Sequence, residues 1–152
     1  MRIQMKRGSM SYWVVDANIA INTILDLNES LEKFWERVDK EQITPCVPRL
    51  WISESASAIR FLLSQKEITS NEAEQMLRII HAMQFEIIDE DEELSLRALE
   101  WAGKLSQSKA YDAFYIALAE KLVVNFWTAD ERLYNQCRKS LKLSWVHWVG
   151  EL

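Results

Sequence analysis

The stretch that most constrains this chain is Tyr12-Trp13-Val14-Val15-Asp16. Four β-favouring residues with no charge among them predict a strand buried on both faces. The run then stops at an acid. Asn18 reads as the N-cap of a following helix, and residues 19–27 open a helical pattern. Asp16 is therefore expected at the carboxyl end of a buried strand, just before a helix, where open α/β sheets bind ligands. A carboxylate in that place is costly without a partner, and a divalent cation is a natural one.

The remaining chain alternates. Leu31, Phe34, Trp35 and Val38 repeat at helical spacing, which makes the first two helices a hairpin. Residues 43–48 form a short strand closed by Pro48. A helix over 49–65 follows, with Glu54 in its first turn or two. Thr69 with Glu72 fits a capping box that opens the next helix. Residues 85–88 are a third strand, and the five acids of 89–93 make a solvated, dipole-friendly start to a helix over 94–106. A helix over 110–124 comes next, with Asn125 as its left-handed end residue. Residues 126–128 are a strand, 130–140 a helix and 143–146 a last strand. Strands alternating with helices predict an α/β fold with a mainly parallel sheet of about five strands.

At 152 residues the chain fits one domain, taken as 12–152. Residues 1–11, with Arg2, Lys6, Arg7 and Gly8-Ser9-Met10, read as a tag-like or extended N-terminal segment. No apolar run is long enough to span a bilayer and no secretory h-region opens the chain, so a cytoplasmic location is expected. Cys46 and Cys137 lack metal-type spacing and are read as reduced thiols. Trp35, Trp51 and Trp101 sit on amphipathic helices and are expected in the core, with a partner interface as the second reading for Trp35. His81 and His147 are taken as structural or surface residues.

Four carboxylates stand at marked positions: Asp16 after the first strand, Glu54 early in a helix, Asp112 at a helix start and Asp130 after another strand. Strand carboxyl ends and helix amino ends share one edge of a parallel α/β sheet, so the four can converge. Such a cluster of hard oxygen donors suits Mg²⁺ or Mn²⁺ and hydrolysis of a phosphodiester. The net charge of −5 argues against a broad non-specific nucleic-acid binder. It is compatible with a nuclease whose acids form a metal site. Arg49, Arg60, Lys104, Lys109 and Arg132 lie near the site edge in sequence, and each is read as a solvated surface residue.

Four stretches occur together in order: Val14-Val15-Asp16-Ala17-Asn18, Ser53-Glu54-Ser55-Ala56, Tyr111-Asp112-Ala113-Phe114-Tyr115-Ile116-Ala117-Leu118-Ala119 and Thr128-Ala129-Asp130-Glu131-Arg132-Leu133. In these the chain resembles PIN-domain ribonucleases, most closely the VapC-type toxins of type II toxin–antitoxin pairs. The resemblance implies a three-layer α/β/α sandwich. It places Asp16, Glu54, Asp112 and Asp130 in the family's acidic metal site, with Asp16 and Asp112 as the most direct ligands. Asn18 and Thr128 fall where the family carries small polar residues that orient a carboxylate or water; a plain helix cap and a plain strand residue are their alternatives. It further implies an RNA substrate, a cognate antitoxin and a homodimer.

Three functions follow. The first is a metal-dependent endoribonuclease. The second is a non-catalytic PIN-like interaction module that acts through antitoxin binding and operon autoregulation. The third is a small metal-dependent phosphatase on a similar sheet. Four acids in place favour the first over the second, and the Tyr111 to Ala119 block favours it over the third through the resemblance alone.

Overall fold

A computed structural model describes residues 10–152; of the segment 1–11 read as tag-like or extended, residues 1–9 lie outside the described residues and Ser11 is the first residue of the first strand. Five strands form one sheet in the order β3-β2-β1-β4-β5: β1 Ser11–Val15, β2 Ile43–Pro48, β3 Glu86–Ile88, β4 Asn125–Thr128 and β5 Val146–Trp148. Every pairing is parallel. Seven α-helices connect the strands: α1 Ala17–Leu25, α2 Glu29–Lys40, α3 Leu50–Ser64, α4 Ser70–Ala82, α5 Glu92–Lys104, α6 Tyr111–Leu122 and α7 Glu131–Asn135.

β1 is the middle strand, and its alternation divides the core. Val14 faces a large apolar cluster with residues of α3 to α6, including Trp51, Ile80, Trp101 and Tyr115. Trp13 and Val15 face a smaller one with Leu31, Phe34 and Val38 of α2. There Trp13 and Phe34 both pack on Trp127 of β4, at ring distances of 5.2 and 5.4 Å. Helices on both faces leave the strands dry on both sides, which is why β1 carries no charge until it ends. Trp51 and Trp101 are buried as their amphipathic helices require, and half-buried Trp35 donates its indole N–H to Thr23.

The chain runs outward through β2 and β3 on one side of β1, then returns to β4 on the other. The order of connection therefore reverses between β1 and β4, and the carboxyl ends of these two strands border the crevice that such a switch creates. Asp16 follows β1 and Asp130 follows β4 shortly after.

Local signals are met in several places. Thr69 and Glu72 form the full capping box of α4. The acidic run does start α5, two residues earlier than the periodicity indicates, because the Asp91 carboxylate accepts from Leu94 N–H as the cap. Other expectations need correction. Asn18 does not cap α1; Asp16 occupies the cap position and Asn18 lies within the helix. The left-handed residue after α6 is Val123 (φ 55°), not Asn125, because β4 pairs Asn125 with Trp13 and the turn must come earlier. The helix expected over 130–140 divides into α7 and a π-helical turn, Gln136–Ser140. The last strand lies further on than residues 143–146, since Val146 N–H bonds back to the Leu143 carbonyl in a turn.

Val123 is 90% exposed, β-branched and left-handed, a conformation that costs such a residue about 1 to 2 kcal/mol. Val123→Gly is expected to raise unfolding free energy by about 1 kcal/mol despite glycine's entropy. Urea unfolding checks this, and a destabilised variant would contradict the assignment.

Candidate functional site

Asp16 sits 3% exposed at the end of β1. Its backbone N–H bonds to the Trp127 carbonyl (3.0 Å), which ties the strand end to β4. Its Oδ2 accepts from the Thr128 hydroxyl at 2.9 Å and from the Asn18 side-chain amide at 3.3 Å. Asn18 also donates to Thr128 Oγ1 (3.2 Å) and accepts from Ala129 N–H (2.9 Å). Thr128 Oγ1 in turn accepts from Asp130 N–H at 3.0 Å. Asp16, Asn18 and Thr128 thus form one network across β1 and β4. Both supporting residues act on the acid in this geometry.

Asp130 caps α7, accepting from Leu133 N–H at 3.0 Å. Asp112 is the second residue of α6, whose amino end lies on the carboxyl edge of the sheet because α6 runs back into β4. Glu54 projects from the second turn of α3. Glu54, Asp112 and Asp130 line one cleft of about 630 Å³, together with Gln107, Lys109, Arg132 and Gln136 among others. Asp16 is buried outside that lining and couples to it electrostatically.

That coupling is visible in the acidities. Burial pushes the Asp16 carboxyl well above its ordinary range, and the charges of Glu54 and Asp112 push it further, against the opposing Thr128 hydrogen bond. Burial also raises Glu54, to about 7, with Asp112 contributing. Asp112 is raised by burial and by Asp130, while a Gln107 hydrogen bond opposes. Among the described residues, no Lys or Arg forms an ion pair with any of the four acids. Like charges crowd a partly dry site.

Two further residues touch the acids and had no separate role in the sequence reading. Gln107 donates its amide to Asp112 Oδ2 at 2.8 Å, and its own buried oxygen has no partner among the described residues. Tyr115, fully buried and stacked on Phe126 at 6.0 Å, donates its hydroxyl to Glu54 Oε2 at 3.2 Å. The spacing Asp112 to Tyr115, one helical turn, is the signal that finds the tyrosine. Cys137 lies buried nearby with its thiol pushed up to about 12, chiefly by burial, so it stays protonated.

Among the described residues no group of three or more His, Cys, Asp or Glu is placed to hold an ion as a ready-made cage. Mg²⁺ does not require one, because it keeps several waters and takes one or two carboxylates plus substrate phosphate. An all-oxygen donor set, mutually repelling and free of ion pairs, fits a cation of that kind. No helix among the described residues is long and apolar enough to cross a membrane.

A family model described as PIN domain matches residues 13–139. Several solved structures share the fold. One is PAE2754 from Pyrobaculum aerophilum, 20% identical with a TM-score of 0.66, covering 93% of each chain. Another is VapBC2 from Rickettsia felis bound to a DNA fragment from its promoter, 15% identical with a TM-score of 0.62, covering 90% of this chain and 96% of that one. A toxin-antitoxin complex from Klebsiella pneumoniae is 14% identical with a TM-score of 0.61, again covering 90% and 96%. No curated protein matches the chain.

The raised acidities have a consequence for stability. Glu54 titrates near 7 when folded and near 4.5 when unfolded, so it stabilises the fold fully below about 4.5, and this contribution is lost as pH rises through about 7. His147, pushed down by burial, has the opposite sign below about 6.5, so the informative window lies above that value. In EDTA the melting temperature is expected to fall from about pH 6.5 to about pH 8.5. Glu54→Gln should flatten the fall, and Mn²⁺ should oppose it by binding the native state. Equal melting in EDTA and Mn²⁺ at the upper pH would count against a metal site.

Proposed function

The chain belongs to the PIN-domain family, and on that premise we propose that it is a metal-dependent endoribonuclease, the toxin of a toxin–antitoxin pair. The observation that carries the reading is the coupled set of acids at the sheet's switch point with no basic side chain in ion pair with them among the described residues.

Asp16 and Asp112 are the residues that would hold Mg²⁺ or Mn²⁺ most directly, with Glu54 and Asp130 acting through water. Such a cation, when bound, lowers the pKa of water, polarises the scissile phosphate and stabilises the leaving oxygen. The chain supplies position. Thr128 and Asn18 both hold Oδ2 of Asp16, leaving Oδ1 free of them. Gln107 and Tyr115 hold one oxygen each of Asp112 and Glu54 in the same way. A water beside Glu54 or Asp130 gives its proton to a carboxylate as its oxygen forms the new bond to phosphorus. The bond to the 3′ oxygen breaks, that oxygen takes a proton from solvent, and the products are a 3′-hydroxyl and a 5′-phosphate.

The partner follows the same premise. The Klebsiella pneumoniae neighbour is a toxin-antitoxin complex, and a cognate antitoxin, a homodimer and a cytoplasmic setting belong to this proposal. Leu25 and Leu27, exposed at and just after the end of α1, offer apolar surface for such a partner. The second reading, a non-catalytic module acting through antitoxin binding, would leave no reason to keep all four acids so close at an electrostatic cost.

The test is cleavage of a structured RNA mixture by antitoxin-free protein, with Mn²⁺ or EDTA. Cutting is expected with Mn²⁺ only and is expected to vanish in Asp112→Asn, which should fold at least as stably because a repelling charge is gone. No cutting by folded protein would favour the interaction module. Cutting that survives both EDTA and the substitution would refute the mechanism.

A further inference from the structure

An acidic chain needs a local grip on RNA, because its overall field repels the strand. Five cations lie near the site in sequence, and the structure separates them. Arg49 is paired with Asp89. Lys104 lies over the Trp101 ring at 4.4 Å. Arg60, on α3, does not line the cleft. Lys109 and Arg132 do line it, beside Glu54, Asp112 and Asp130. Lys109 comes from the segment before α6 and Arg132 from the first turn of α7, so they enter from two different elements. Both are exposed, and among the described residues neither side chain forms a hydrogen bond or an ion pair.

We propose that Lys109 and Arg132 are the phosphate-binding residues of this cleft, holding the RNA backbone next to the bond that the acids address. The proposal rests on the nuclease reading. The chemistry favours a polyanion with regularly spaced charges over an acidic protein segment. A scissile phosphate set among carboxylates needs its neighbouring phosphates neutralised, and two long side chains from separate walls can each reach one. Contacts of this kind carry no sequence information. They set affinity, salt dependence and register, while target choice lies elsewhere.

The experiment measures binding of poly(U) to the non-cutting Asp112→Asn protein as salt is varied, alone and with Lys109→Gln plus Arg132→Gln. Each lost phosphate contact to a single strand should lower the slope of log K against log salt by about 0.7. The double substitution should therefore lower it by about 1.4. Between about 50 and 200 mM salt, the parent should lose about sevenfold more affinity than the double variant. With Asp112 intact, the same two changes should raise KM and leave kcat near its starting value. Lys40→Gln plus Lys139→Gln removes equal charge from exposed positions outside the cleft and is the control.

An unchanged slope in the cleft variant overturns the proposal, as does an equal drop in the control, which would make the effect one of net charge. A protein that cuts with Mn²⁺ yet shows either result loses only this inference. A protein with native Lys109 and Arg132 that neither cuts nor binds poly(U) loses the nuclease reading and this inference with it.

Discussion

The structure depends on one unfavourable arrangement: the Asp16 carboxylate, buried at the end of the central strand among other acids, with no Lys or Arg in ion pair with it among the described residues. Burial and like charge both oppose its ionisation. Its direct compensation is neutral. The Thr128 hydroxyl and the Asn18 amide satisfy one oxygen, and the same two side chains reach Ala129 and Asp130 backbone N–H groups. The polar network that tolerates the acid is also the one that fixes the β4 end and the start of α7. A buried polar network is worth keeping when it is fully connected, and here the connection spans the switch point.

The rest of the fold brings the other acids to that point. α3 and α6 lie against the larger core, and their amino-terminal portions reach the carboxyl edge of the sheet with Glu54 and Asp112. Tyr115 joins the two helices. Its ring is locked in the core against Phe126 and its hydroxyl meets Glu54. Rigid packing therefore sets the position of a carboxylate that repulsion would otherwise drive toward solvent. The smaller core of Trp13, Phe34 and Trp127 supports the opposite face and keeps β1 and β4 in register.

Much of this was legible in the sequence. An uncharged β-favouring run ended by an acid places Asp16, because a strand buried on both faces leaves few alternatives. Thr69 and Glu72 are legible because a capping box is local. What escaped depends on tertiary register. Read locally, Asn18 has the chemistry of a cap, yet Asp16 holds the cap position and Asn18 bonds to Thr128, 110 residues away; only the family resemblance set it beside the acid. Val123 takes the left-handed turn because strand pairing claims Asn125. Tyr115 sits in an apolar helical run and looks like core packing, which it also is. Gln107 lies in a loop with no periodicity to mark it. Lys109 and Arg132 differ from the other cations only in what surrounds them.

Burial, with the charge of Asp112 added, holds the Glu54 carboxyl partly protonated near neutral pH until a cation takes the proton's place. Calorimetric titration of Mn²⁺ into the protein near neutral pH, in two buffers of different ionisation enthalpy, measures that exchange directly. Net release of protons on binding, shrinking as the pH is raised well above the Glu54 value of about 7, is the expected result. Binding without proton release, or no binding at all by folded protein, would contradict it.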